Sequence, residues 1–111
     1  TSGTVTGIET PDAGLLPAVF VLEQNYPNPF NPRTTLRYRI RSAAPQRIVL
    51  RIYNLLGQEV RTLVDAIKPA GAYATTWDGR DRNGRQMASG VYLSHLQVGD
   101  QTQVRRMVLS K

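Results

Sequence analysis

An all-β antiparallel sandwich of about seven strands is the fold this sequence predicts, and three observations carry it. Polar and apolar residues alternate with period two in several short segments. Turn-forming Gly, Pro and Asn residues recur roughly every 8–12 residues. No segment holds a convincing helical apolar spacing: NLLGQEVRTLV, the nearest candidate, has a Gly near its start and a Val/Thr-rich end.

Taken in order, residues 1–19 (TSGTVTGIETPDAGLLPAV) are small, polar and broken by Gly and Pro, and read as a linker from an upstream domain. Residues 20–111 form the folded domain. FVLEQ (20–24) is a short apolar strand, followed by the proline-rich loop NYPNPFNP (25–32). In TTLRYRI (34–40), Leu36, Tyr38 and Ile40 share one face while Arg37, Arg39 and Arg41 share the other. RIVLRIYN (47–54) repeats the pattern, with Ile48, Leu50 and Ile52 opposite Arg47, Arg51 and Tyr53. After the NLLGQ turn come EVRTLV (59–64), a DAIKPAG loop (65–71) and YATTW (73–77), whose Tyr73, Thr75 and Trp77 mark an inward face. Asn83-Gly84 is the dipeptide best suited to a type I′ hairpin turn. VYLSHLQV (91–98) and QTQVRRMVLSK (101–111) flank a two-residue Gly99-Asp100 turn.

Composition narrows the functional classes. The 111 residues include no cysteine, so disulfides and thiolate metal sites are excluded. No stretch reaches the roughly 18 apolar residues of a membrane-spanning helix. The net charge is +6, and 12 of the 14 basic residues are Arg. If the strands 34–40 and 47–54 pair, Arg37, Arg39, Arg47 and Arg51 form a basic face suited to an anionic partner such as cell-surface polysaccharide. Tyr53 is the one aromatic interleaved with them, whereas single-strand binders combine a basic groove with several stacking aromatics, so nucleic acid is not expected.

Catalytic and cofactor chemistry find no constellation. His95 is the single histidine and sits in a strand with no nucleophile placed by motif. Asp78, Asp81 and Asn83 resemble the start of a calcium loop, but Arg80 holds the third position and Ser89 the twelfth, where a bidentate Glu is required. The simpler reading is an Asp-capped hairpin. The chain is expected to be no enzyme and to carry no metal and no cofactor.

YPNPFNP followed by TTLRYRI, then LRIYNLLGQEVRTLVD, AGAYATTWDGRDRNGRQMASGVYLSHLQVGD and RRMVLSK, resembles the C-terminal sorting domain, type A, of the type IX (Por) secretion system. The same segments are similar to the immunoglobulin-like domain of flagellar hook-capping proteins. The resemblance runs from Phe20 to Lys111 and implies an immunoglobulin-like sandwich. It implies a role in carrying an upstream cargo domain of the same precursor through the outer-membrane secretion machinery to the cell surface. The family's Pro-Asn-Pro box falls on Pro27, Asn28 and Pro29, its Gly-x-Tyr element on Gly90 and Tyr92, and its basic end on Arg105, Arg106 and Lys111. The usual tail has two lysines at a short fixed spacing, where this chain has Arg at another spacing. A binding module for an anionic surface and a hook-cap-like assembly domain are the alternatives. Each proline of the loop fixes its φ and biases the preceding residue to extended geometry. The loop is therefore expected to be chiefly a packing device, with Tyr26 and Phe30 tucked against the first strands.

Overall fold

The computed structural model describes residues 19–111, and the expected linker lies almost wholly outside them. Seven strands form among the described residues: β1 (Phe20–Leu22), β2 (Thr34–Ile40), β3 (Gln46–Asn54), β4 (Glu59–Lys68), β5 (Gly71–Trp77), β6 (Gly90–Val98) and β7 (Gln101–Leu109). They make two antiparallel sheets, one in the order β1-β2-β5 and the other in the order β4-β3-β6-β7. No helix occurs among the described residues.

The alternation read in the sequence is the alternation that packs. Leu36, Tyr38 and Ile40 from one sheet meet Ile48, Leu50, Ile52, Leu96 and Met107 from the other, all at most 2% exposed. Burying such side chains is worth about 1.5–3 kcal/mol each relative to leaving them in water. Tyr38 stacks on Tyr73 with ring centroids 5.4 Å apart. Burial, assisted by the neighbouring Tyr73, holds the Tyr38 hydroxyl above the usual phenol range.

Four local expectations are corrected. β4 continues through Lys68, where a loop from Asp65 was expected: Asp65, Ala66, Ile67 and Lys68 pair with Val49, Ile48, Arg47 and Gln46. Only Pro69 and Ala70 are left between β4 and β5. The pairing is reinforced by Arg47, whose Nε and Nη2 each donate to the Asp65 carboxylate at 3.1 Å. That contact holds the Asp65 carboxyl below its ordinary range. Secondly, Asn83-Gly84 is not the centre of the 78–89 turn. The Gly84 N–H donates to the Asp81 carbonyl, so Arg82 and Asn83 are the central pair and Gly84 follows with φ +82°. The Asp81 side chain selects this geometry by accepting from the Asn83 and Arg85 amides at 2.9 Å.

The third correction concerns the arginines. β2 and β3 do not pair but lie in different sheets, so Arg37 and Arg39 sit on one outer surface and Arg47 and Arg51 on the other. Period two fixes which side chains share a face but not which strands are neighbours. Finally, Tyr26 is 75% exposed, whereas Phe30 is buried as expected.

Candidate functional site: the seam between the proline loop and the last strand

The segments singled out in the sequence are scattered from residue 27 to residue 111, and most of them meet at one end of the sandwich. The proline loop does not merely lead into β2. It turns back and lies along the outer edge of β7, where Phe30 forms a parallel bridge with Leu109. The Phe30 N–H donates to the Val108 carbonyl, and the Phe30 carbonyl accepts from the Ser110 N–H, both at 2.9 Å. Asn28 Oδ1 accepts from the Val108 N–H, also at 2.9 Å. One residue of the Pro-Asn-Pro box thus satisfies an edge amide some 80 positions later in the chain.

The loop holds this shape through its own buried polar pair. Asn25 and Thr34 are 3% and 1% exposed. Asn25 Nδ2 donates to Thr34 Oγ1 at 3.0 Å, and both side chains donate to the Pro27 carbonyl. The bonds before Pro27, Pro29 and Pro32 are cis. Beneath the loop three rings form a ladder: Phe30 and Trp77 at 5.6 Å between centroids, then Trp77 and Tyr92 at 5.3 Å, edge to face. Trp77 Nε1 donates to the Arg80 carbonyl at 2.9 Å, so its one polar atom is satisfied inside the core.

Gly90 and Tyr92, the Gly-x-Tyr pair, are opposite Leu109 and Met107 in the β6–β7 register. Tyr92 is 5% exposed, and its hydroxyl donates to the Ala88 carbonyl at 2.6 Å. This is the tyrosine corner of immunoglobulin-type sandwiches, a phenol near the start of a strand that pins the preceding corner. Burial holds that hydroxyl above the usual phenol range. Tyr92→Phe is expected to lower the unfolding free energy by about 0.5–1.5 kcal/mol, the net worth of one hydrogen bond. A urea titration checks this, and an unchanged midpoint would assign the corner to packing alone.

The basic residues of the last strand divide by role. Arg105 Nε donates to the Leu22 carbonyl at 2.9 Å, which ties β7 to β1. Gln103 works beside it, donating to the Phe20 carbonyl and accepting from the Leu22 N–H. Arg106 and Lys111 are exposed. The Arg106 carbonyl accepts from Gln24 Nε2, and the Lys111 N–H donates to Ser89 Oγ at 3.1 Å. The structure therefore brings together Pro27, Asn28, Pro29, Gly90, Tyr92, Arg105, Arg106 and Lys111 around the second half of β7. It leaves Arg37, Arg39, Arg47 and Arg51 elsewhere. Gln24, Gln103 and Ser110 were not singled out in the sequence. Uncharged, and remote in sequence from their partners, they gave no signal.

Asp78 accepts from the Arg80 N–H and from Arg61 Nη1, at 3.1 and 3.0 Å. Asp78 is thus engaged by an amide and a guanidinium group, and Asp81 by two amides. No set of three metal-ligating side chains occurs among the described residues.

Two facing antiparallel sheets, a tyrosine corner and a Trp buried between them define an immunoglobulin-like domain. The chain belongs to the FlgD Ig-like domain family, whose model matches residues 31–101, well over half of its 111 residues. That match begins inside the proline loop and ends at the first residue of β7.

Among solved structures, latent dimeric PorU from Porphyromonas gingivalis is similar over 86% of this chain, with a TM-score of 0.67 and 20% identity. PorZ, an essential surface component of the type IX secretion system of the same bacterium, is similar over 81% of the chain, with a TM-score of 0.54 and 20% identity. The DNA glycosylase AlkC from Pseudomonas fluorescens, bound to abasic-site DNA, is similar over 86%, with a TM-score of 0.54 and 16% identity. The chain spans 10% of PorU, 11% of PorZ and 32% of AlkC. At these identities the likeness is one of fold. A comparison with curated protein sequences returns no match.

Proposed function

We propose that this domain is a non-catalytic sorting module that directs an upstream protein of the same precursor across the outer membrane and to the cell surface. One observation carries the reading. The likeness to PorU covers 86% of the chain with a TM-score of 0.67, against 0.54 for AlkC over the same share. PorZ, similar over 81% of the chain, is itself a surface component of a type IX system. The partners are then the outer-membrane secretion machinery and the cargo domain, and the product is secreted or surface-attached. A second reading, a structural assembly domain of the hook-cap kind, is favoured by the family match itself.

The test is a fusion of all 111 residues to the C-terminus of a periplasm-targeted fluorescent protein, in a host with a working type IX system. Surface fluorescence is expected from the intact fusion. It should fall to the level of the unfused cargo in an Arg106→Ala, Lys111→Ala double variant. These two side chains are exposed, so the variant keeps its fold, which circular dichroism checks. Deleting the tail is a poorer test, because Met107 and Leu109 belong to the core. Cargo retained in the periplasm by the intact fusion would overturn the sorting reading and leave the assembly reading in its place.

A further inference from the structure

Four strands border the two sheets among the described residues, and three of these edges are occupied or guarded over at least part of their length. The second half of β7 is covered by the proline loop and Gln24. The outward groups of β1, Phe20 O, Leu22 N and Leu22 O, are bonded by the side chains of Gln103 and Arg105. β4 is irregular against β3 at two points, carries Arg61, Asp65 and Lys68, and gives its Val60 carbonyl to the Arg82 N–H. Bulges and charges of this kind are how sheet edges resist further pairing.

β5 differs. Glu23 N–H and Tyr26 N–H donate to the Arg37 and Thr35 carbonyls, so the odd-numbered residues of β2 bond towards β1 and the even-numbered ones towards β5. In the unbroken β2–β5 register, Leu36 is opposite Thr75 and Tyr38 opposite Tyr73. Ala72, Ala74 and Thr76 therefore aim their N–H and C=O groups outward, and among the described residues nothing bonds to them. The strand GAYATTW has no charge, proline or bulge.

The surface beside this edge is mainly basic, with Arg37 and Arg39 against the single acid Glu23. All four ion pairs among the described residues involve Arg47, Arg51, Arg61 or Arg82, with Asp65, Glu59 or Asp78. Arg37 and Arg39 are in none of them. They are directly opposite Ala74 and Ala72, whose small side chains leave the guanidinium groups open towards the β5 edge. With Glu23 they line a shallow depression of about 250 Å³.

We propose that the edge of β5 takes up an extended acidic segment of another polypeptide as a fourth strand of this sheet, with carboxylates at alternate positions pairing to Arg37 and Arg39. Successive same-face side chains of a strand are about 6.6 Å apart, the same repeat on both partners. The added strand lies roughly 9–10 Å from β2, a gap that Arg and Glu side chains bridge across the alanines. Backbone bonds supply affinity and the alternate side chains supply selectivity, as in other strand additions. A second copy of this chain is a poor occupant, since it would bring its own Arg37 and Arg39 against the first pair. Nucleic acid is poorer still, as the tyrosines of these strands face inward. The inference does not depend on the sorting role.

A seven-residue synthetic peptide alternating glutamate with valine is the probe, added to the full 111-residue chain and followed by amide NMR and anisotropy. The Ala72, Ala74 and Thr76 amides are expected to gain hydrogen-exchange protection. Glutamine in place of glutamate should weaken binding about five- to tenfold, the combined effect of two cross-strand charge pairs. The Arg37→Glu, Arg39→Glu variant should lose the glutamate peptide and bind a lysine–valine peptide instead. With the protein unaltered, N-methylation of alternate peptide amides should abolish binding. Protection of the three amides before any peptide is added would mean the edge is already filled by this chain, and would overturn the proposal. So would concentration-dependent dimerisation of the free chain through β5. Binding of heparin through Arg37 and Arg39, with no response to the glutamate peptide at the three amides, would show a surface that reads charge alone, and would overturn it equally.

Discussion

Replacing Trp77 with alanine is expected to lower the unfolding free energy by about 3–5 kcal/mol, the range for emptying a large buried aromatic site. Trp77 is 0% exposed and is the middle ring of the ladder between Phe30 and Tyr92. Its loss uncouples the proline loop above from the tyrosine corner below and leaves the Arg80 carbonyl without its indole donor. A domain of this size has about 5–15 kcal/mol in hand, so the variant loses a large share of its stability. Chemical denaturation followed by far-ultraviolet circular dichroism measures it. Trp77→Phe keeps a ring and loses only the donor and some volume, and should recover more than half of the loss. If the alanine variant stayed within about 1 kcal/mol of the parent, the ladder would not be the centre of the core.

The second large effect is expected on shortening the chain to end at Met107. This removes Leu109, which is 1% exposed, together with the two Val108 groups and the Ser110 N–H that hold Phe30 and Asn28. The Leu109 term alone is about 2–5 kcal/mol. The lost seam hydrogen bonds add about 0.5–1.5 kcal/mol each where the freed groups are shielded from water. The shortened chain should show a lowered urea midpoint and rapid hydrogen exchange at the Asn25–Phe30 amides, although that loop is untouched by the truncation. Unchanged exchange in the loop would mean that the seam stabilises neither of its sides. A tail deletion therefore disturbs the core as well as removing exposed residues.

The fold was legible because period-two alternation is a direct imprint of a two-faced strand. Leu36, Tyr38 and Ile40, and Ile48, Leu50 and Ile52, are where the sequence puts them. Alternation is silent on neighbours, however, and this is why the four arginines separated into two surfaces. Arg47 and Arg51 found their acids on β4, in Asp65 and Glu59, through a register that no local pattern encodes. The Asn83-Gly84 turn was misjudged for a related reason. The dipeptide's preference is real, but the Asp81 carboxylate, two residues upstream of Asn83, bonded two amides at once and moved the turn.

The candidate site was legible as a set of segments and not as a place. Pro27-Asn28-Pro29, Gly90-Tyr92 and the basic end carried a resemblance, yet nothing in any of them says that Asn28 meets Val108. Phe30 followed the expectation of a packing loop, and Tyr26 did not: its backbone bridges to Thr35 while the ring stays in solvent.

The loop that opens the domain is bonded to the strand that closes it, and that fact governs how the chain reaches its native state. Bonds such as Asn28 to Val108 and Leu22 to Arg105 span 80 and 83 residues. Such closures carry the largest loop entropy in the molecule and are rewarded only after most of the chain is in position. Folding should accordingly be slow for its length, in the range of roughly milliseconds to seconds typical of barrels and sandwiches rich in distant contacts. During that interval the N-terminal loop and the C-terminal strand both remain unclaimed, and a carrier that holds either one withholds the stability their seam contributes.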